Sequence, residues 1–290
     1  MMNHRFPFLQ KTLLCVLSFL FAQTMTGTEP FIMFQSADDT WRLDALTIGY
    51  VETEHSCVQL AAANLAKDFQ QVTGIPAETS SAPRIVIGTV GVNSMIDSWV
   101  KSGELRDLKG KTEKYIIKTI GNQLVIAGSD KRGTVYGIYE LSRQIGVSPW
   151  YYWADVPVEK HTDIYVKKGE YTDGEPAVRY RGLFLNDEAP CLTTWVKNTF
   201  GTNYGGHQFY EKVFELILRL KGNYLWPAMW GWAFYADDPE NLKTADAMGV
   251  MMGTSHHEPR ARNHQEYARD RKGWGAWNYA TNKENLDRFF

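Results

Sequence analysis

The chain has 290 residues and a formal net charge of −2. That length allows a sizeable core or two domains, and the near balance of charge gives no reason to expect a nucleic-acid partner. The basic run Arg269-Asp270-Arg271-Lys272 carries its own acid and reads as a solvated helix face.

Residues 1–27 read as a secretory signal peptide. His4, Arg5 and Lys11 form a basic start, and Thr12 to Ala22 is apolar. Its length of roughly ten residues suits a signal core and falls short of the ~20 needed to span a membrane. Small residues from Ala22 to Gly27 offer cleavage sites, so a secreted or periplasmic location is expected, with no membrane contact after cleavage. Cys57 and Cys191 remain in the mature chain, which leaves one disulfide open in an oxidising compartment.

Residues 28–172 are expected to form a small α/β domain. Val58, Ala61, Leu65, Phe69 and Val72 share one helical face, and Gly74 with Pro76 ends that helix. Arg84 to Gly88 is a short buried strand. Glu113–Ile120 and Gln123–Ala127 flank Gly121-Asn122 as a hairpin. Arg132 to Ile145 is a helix stopped by Gly146 and Pro149. The apolar-poor stretch from Lys167 to Pro176 marks a boundary.

From Val178 the rhythm becomes strand, helix, strand. The first strand runs to Leu185, with Leu183, Phe184 and Leu185 buried. A long connection, Ala189 to Gly206, reads as a loop covering a substrate. A helix with a stripe of Phe209, Val213, Leu216, Ile217 and Leu220 then closes at Gly222. The second strand is Tyr224 to Met229, followed by a helix through Leu242, Ala245 and Met248 to Gly249. The third is Val250 to Met252. Apolar strands alternating with amphipathic helices predict a parallel sheet. The fold class is α/β, with residues 173–290 as the first half of a (β/α)8 TIM barrel. Thr281 to Glu284 forms a capping box that starts a further helix.

In a parallel barrel the chemistry sits at the C-terminal strand ends. Strand one is followed by Asn186, Asp187 and Glu188, strand two ends in Trp226, Trp230 and Trp232, and strand three is followed by His256, His257 and Glu258. Carboxylates there suit proton transfer. The flat rings suit a sugar platform, or they pack under loops, and Asp187 alone would also serve to cap a turn. Two adjacent histidines after a strand diverge, so a zinc reading is disfavoured and no metal is expected. The connection holds Asn203 and Tyr204 before Gly205-Gly206, at a helix start that an anionic sugar could use.

The runs Tyr180-Arg-Gly-Leu-Phe-Leu-Asn-Asp-Glu188, Phe200-Gly-Thr-Asn-Tyr-Gly205, Leu225-Trp-Pro-Ala-Met-Trp230 and Gly253-Thr-Ser-His-His-Glu-Pro259 resemble glycoside hydrolase family 115, the xylan α-1,2-glucuronidases. Gly133-Thr-Val-Tyr-Gly-Ile-Tyr-Glu-Leu141 and Trp150-Tyr-Tyr-Trp-Ala-Asp155 look like the same family, although a similar preceding domain occurs in β-hexosaminidases. The resemblance implies removal of (4-O-methyl-)glucuronic acid from glucuronoxylan or derived oligosaccharides by an inverting mechanism without a cofactor. Asp187 and His256 match positions of the family that contact the substrate, and with the strand-end reading the expected catalytic residues are Asp187, Glu188 and His256, with substrate contacts from Asn186, Asn203, Tyr204, Trp226, Trp230, His257 and Glu258. It also implies that the principal catalytic carboxylates lie on later strands, beyond Phe290, so that the 290 residues alone are expected to be an inactive N-terminal portion. A homodimer is open only to the full-length parent. Arg260 departs from the more apolar residue the family favours. Two alternatives stand beside this reading: another glycosidase of hexosaminidase-like layout, and a non-catalytic carbohydrate-binding fragment.

Overall fold

The computed structural model describes residues 28–186, 190–227, 231–253 and 262–290. Its elements in chain order are β1 (Ile32–Met33), β2 (Thr40–Arg42), β3 (Thr47–Gly49), α1 (Ser56–Thr73), β4 (Glu78–Thr79), β5 (Ile85–Thr89) and α2 (Ser94–Ser102). The hairpin β6 (Tyr115–Ile120) and β7 (Gln123–Gly128) follows, then α3 (Lys131–Gln144), β8 (Tyr165–Lys167) and β9 (Glu170–Tyr171). The six strands β4-β3-β5-β7-β6-β9 form one mixed sheet, parallel from β4 to β7 and antiparallel at β6 and β9. A small antiparallel sheet, β1-β8-β2, flanks it.

Strand alternation sorts this sheet into two covered faces. Ile85, Ile87, Leu124, Ile126, Tyr115 and Ile117 join the core under α1 and α3. Val86, Val125, Ala127 and Ile116 turn the other way, onto Ile96 of α2 with Leu105 and Leu108. Gly74 ends α1 in the left-handed conformation at φ 79, as expected. Helix α3 starts at Asp130, whose side chain accepts a hydrogen bond from the Gly133 N–H. Its Gly133 and Gly137, one turn apart, let it lie flat on the hairpin. A Cβ at Gly133 would come within 2.3 Å of the Lys114 carbonyl oxygen, and one at Gly137 within 2.7 Å of Ile126.

The remaining elements are β10 (Gly182–Phe184), α4 (Cys191–Phe200), α5 (His207–Arg219), β11 (Tyr224–Trp226), α6 (Phe234–Asp237), α7 (Glu240–Met248), β12 (Met251–Met252), α8 (His264–Arg269), α9 (Arg271–Trp274) and α10 (Lys283–Phe289). β10, β11 and β12 form a parallel sheet in sequence order, with Gly182 beside Tyr224 and Tyr224 beside Met251. Consecutive parallel strands joined through helices are the βα series expected from the sequence; no closed barrel exists among the described residues. One apolar core runs from Phe31 through α1 and α3 to Phe209, Ile217, Leu225 and Val250, so helices of both segments share it.

Several expectations need correction. Leu183 and Phe184 are 36% and 47% exposed. Among the described residues β10 pairs on one side only, with β11, so they leave its other side uncovered. The connection from Ala189 to Gly206 is not simply a loop but contains α4, which buries Val196 and half-buries Leu192 and Phe200 at four-residue spacing before Gly201. The left-handed residue after α5 is Lys221, at φ 58, rather than Gly222. The N–H groups of Gly222 and Lys221 bond the carbonyls of Ile217 and Leu218, which makes Lys221 the closing residue. Helix α10 starts from Asn282, not Thr281, whose N–H is taken by the Asn278 carbonyl. Cys57 and Cys191 are both free thiols, one buried and one exposed. Arg260 lies outside the described residues.

Candidate functional site

The in-register pairing of Phe184 with Trp226, and of Leu225 with Met252, brings all three strands to a common C-terminal edge. Asn186 lies exposed just past β10. Trp226 closes β11 half-buried, its ring 5.2 Å from Phe184 in an edge-on contact. Leu183 and Leu225 share the face turned to α5. Phe184, Trp226 and Tyr224 lie on the opposite face, where a barrel keeps its interior. Asp187, Glu188, Trp230, His256, His257 and Glu258 lie outside the described residues. Among those described, no three His, Cys, Asp or Glu side chains are grouped to hold a metal ion.

The connections that leave this edge enclose an open cleft of about 380 Å³, lined by Asn203, His207, Gln208, Trp232, Asp237 and Asp238 with their neighbours. Each wall has a local cause. Tyr204 is 2% exposed and packs on Phe209 at 5.2 Å and Trp232 at 5.7 Å. It therefore anchors the loop more than it presents a surface. Gly205 takes φ 94, which only glycine adopts freely. Gly206 then starts α5. A Cβ there would sit 3.3 Å from Gln208 Oε1, so its absence leaves the floor of the cleft open. Asn241 is fully buried and donates from Nδ2 to the Gly205 and Phe234 carbonyls, which fixes the two walls to one another.

The helix start that the sequence offered to an anion is occupied by the chain's own carboxylate. Asp238 Oδ2 accepts from the His207 N–H at 2.9 Å and pairs with His207 Nδ1 at 2.7 Å. Burial pushes the Asp238 carboxyl up, but these bonds and the one from the Glu240 N–H outweigh it and leave it below the usual carboxylate range. Asp237 accepts from the Ala233 N–H and is paired with Arg269. His207, Gln208, Asp237 and Asp238 are site residues that the strand-end pattern does not single out. The signals were there: adjacent carboxylates before Pro239, and a histidine opening a helix after two glycines.

At the opposite, N-terminal ends of the strands the two segments are bolted together. Glu113, 3% exposed, accepts from Arg181 and Asn223, which precede β10 and β11, and from Arg132 of α3. Burial raises its carboxyl pKa, yet the bonds from Asn223, Arg181 and Arg132 prevail and hold it low. Lys221 reaches Glu140 at 2.8 Å, the Tyr115 hydroxyl at 3.1 Å, and Asp173. A third buried group joins α1 to α5, with the two terminal guanidinium nitrogens of Arg219, Nη1 and Nη2, on Asp68 at 2.9 and 3.1 Å and its Nε on Glu215. Arg219 also lies over the rings of Tyr139 and Tyr151. So the sheet that presents the rim is aimed by the domain before it.

Comparison with known proteins follows this division. A sequence model described as glycosyl hydrolase family 115 matches residues 173–290. Among solved structures, a family GH115 4-O-methyl-α-glucuronidase, BtGH115A, described as specific for decorated arabinogalactans, matches with 32% identity and a TM-score of 0.76. The match covers 87% of this chain and 34% of that one, so the chain spans about a third of its length. A Streptomyces plicatus β-hexosaminidase reaches a TM-score of 0.49 at 14% identity, over 79% of this chain and 44% of that one, a likeness too slight to argue from. Comparison with curated proteins gave no match. With the family's sequence pattern over the rim-bearing segment and a family structure superposing through both segments, the chain belongs to glycosyl hydrolase family 115.

Proposed function

We propose that this chain supplies the leading strands of a (β/α)8 barrel in a hydrolase that removes (4-O-methyl-)glucuronic acid side chains from xylan, with inversion and no cofactor. The observation that carries the reading is family membership combined with the shared strand edge. Inversion needs a carboxylic acid to protonate the leaving oxygen and a carboxylate ~6.5–9.5 Å away to activate water. Asp187 follows the first strand end, where it can position water, acid or sugar, and His256 follows the third. The three parallel strands among the described residues do not close a barrel of eight, and the chain spans about a third of the BtGH115A chain, so turnover is expected from a protein that supplies the other strands.

The test is glucuronic acid release from glucuronoxylan, followed by proton NMR during the first turnovers. An α-linked side chain released with inversion appears first as the β-anomer. Initial α-anomer refutes inversion, and no release from a barrel-complete protein refutes the assignment. A second reading, that the polymer is a decorated arabinogalactan, is favoured by the described specificity of BtGH115A. Running the two polymers side by side decides between them. We further propose export directed by residues 1–27, checked by mass spectrometry of the mature N-terminus. Cleavage is expected between Ala22 and Thr28, and an exported chain that keeps Met1 refutes it.

A further inference from the structure

We propose that the cleft between Asn203, His207 and Trp232 is a subsite for an uncharged pyranose of the polysaccharide chain, separate from the strand-end rim where the uronic acid would react. The proposal rests on the side-chain glucuronidase reading for its choice of sugar, and on the cleft itself for the existence of a site.

Three features point to a neutral sugar. The volume of about 380 Å³ lies at the small end of ligand pockets, ~300–1,000 Å³, room for a short saccharide. Trp232 is half-buried: it packs against Tyr204 at 5.7 Å and still lines the cleft. An indole that is partly exposed in a cleft can receive the apolar C–H face of a pyranose. Around it stand groups that exchange hydrogen bonds with hydroxyls: the amides of Asn203 and Gln208, the ring of His207, and the carboxylates of Asp237 and Asp238. The glycine at 206 keeps the floor free of a side chain that would stand 3.3 Å from Gln208 and 3.8 Å from Asp238.

Charge argues against a uronate in the same place. Asp237 is matched by Arg269, and Asp238 by His207 and two backbone N–H groups. Each of these carboxylates is therefore fixed in place, and the Arg269 guanidinium is already engaged by Asp237. A ligand carboxylate would meet two like charges, whereas a hydroxyl finds oriented acceptors. His207 Nδ1 is tied to Asp238, which fixes the ring plane.

The experiment is isothermal titration of the full chain with β-1,4-xylotriose, β-1,6-galactobiose and free glucuronic acid. A neutral oligosaccharide is expected to bind more tightly than glucuronic acid, and the preferred one identifies the polymer as xylan or arabinogalactan. Trp232→Ala and Gly206→Ala are each expected to weaken that binding about tenfold or more. Gly206 has an ordinary negative φ of −77, so alanine keeps the backbone and only narrows the cleft, and its melting temperature controls for folding. Tighter binding of glucuronic acid, oligosaccharide binding unchanged in folded Gly206→Ala, or no binding of either oligosaccharide overturns the proposal. Failure of the two readings is separable. Oligosaccharide binding that depends on Gly206, in a barrel-complete protein that releases no glucuronic acid, refutes the activity and keeps the subsite. Release with no such binding refutes the subsite alone.

Discussion

Replacing Glu113 by glutamine tests whether the two segments are held by charge. The side chain is 3% exposed and receives Arg132 Nε at 2.5 Å, Arg181 at 2.6 Å and Asn223 at 2.8 Å. Glutamine keeps the volume and one acceptor, but turns an NH₂ toward a donor. Breaking one side of a buried ion pair costs about 3–5 kcal/mol. The two arginines are 21% and 23% exposed and can regain some hydration, which lowers the expectation to about 2–3 kcal/mol. For a chain of this size that is a fall in melting temperature of roughly 4–12 °C. The pH dependence has a definite sign. The folded carboxyl titrates below its unfolded value, so its contribution is complete above the unfolded pKa, ~4.3, and is lost as pH falls through the folded one. Circular-dichroism melts at neutral pH and in steps down to acid should therefore show the wild type and Glu113→Gln converging. A variant that melts within ~1 °C of wild type at neutral pH would show that Glu113 is a passenger in the interface.

Three further outcomes are expected. Gly133→Ala should destabilise by about 1–3 kcal/mol in chemical denaturation, because its methyl group meets a backbone carbonyl that cannot move aside; a neutral effect would mean that α3 has slack against the hairpin. Brief alkylation at mildly alkaline pH should modify Cys191 and spare Cys57 until the chain unfolds, since burial pushes the Cys57 thiol up to about 11; equal labelling in the native state, read by peptide mass spectrometry, would contradict this. In a barrel-complete protein Asp187→Asn should lower glucuronic acid release at least ~10²-fold, as a group acting in the transition state must, and a wild-type rate would reduce Asp187 to a turn residue.

Periodicity made the helices and parallel strands readable. The apolar stripe of α1 with Gly74, the hairpin around Gly121, and the stripe of α5 from Phe209 to Ile217 are local patterns, and each forms where it was expected, whereas Leu220, read as the end of that stripe, is exposed just past the helix. What escaped depended on partners distant in sequence. The stripe Leu192, Val196, Phe200 was present, but the abundance of glycine and polar residues after it favoured a loop. Gly222 is the conventional helix stop, but the left-handed turn falls on Lys221, whose amine reaches Glu140 and Asp173 from there. In the cleft, Asn203 and Tyr204 were legible as loop residues near a helix start. Asp238 was not, because its role depends on meeting His207 across 31 positions of sequence.

Lys221 has an implication for lineage. A left-handed position at a helix end selects glycine wherever the backbone alone decides. Here a lysine occupies it, its Cβ bears the cost of the left-handed backbone, and its amine crosses to acids contributed by the preceding segment. Its presence records an agreement between two stretches of chain. A barrel of the same descent that had shed its forward domain would have no acid for the amine to meet, and drift there should return the position to glycine. The residue at this turn would then tell, from sequence alone, whether a distant barrel still travels with its companion.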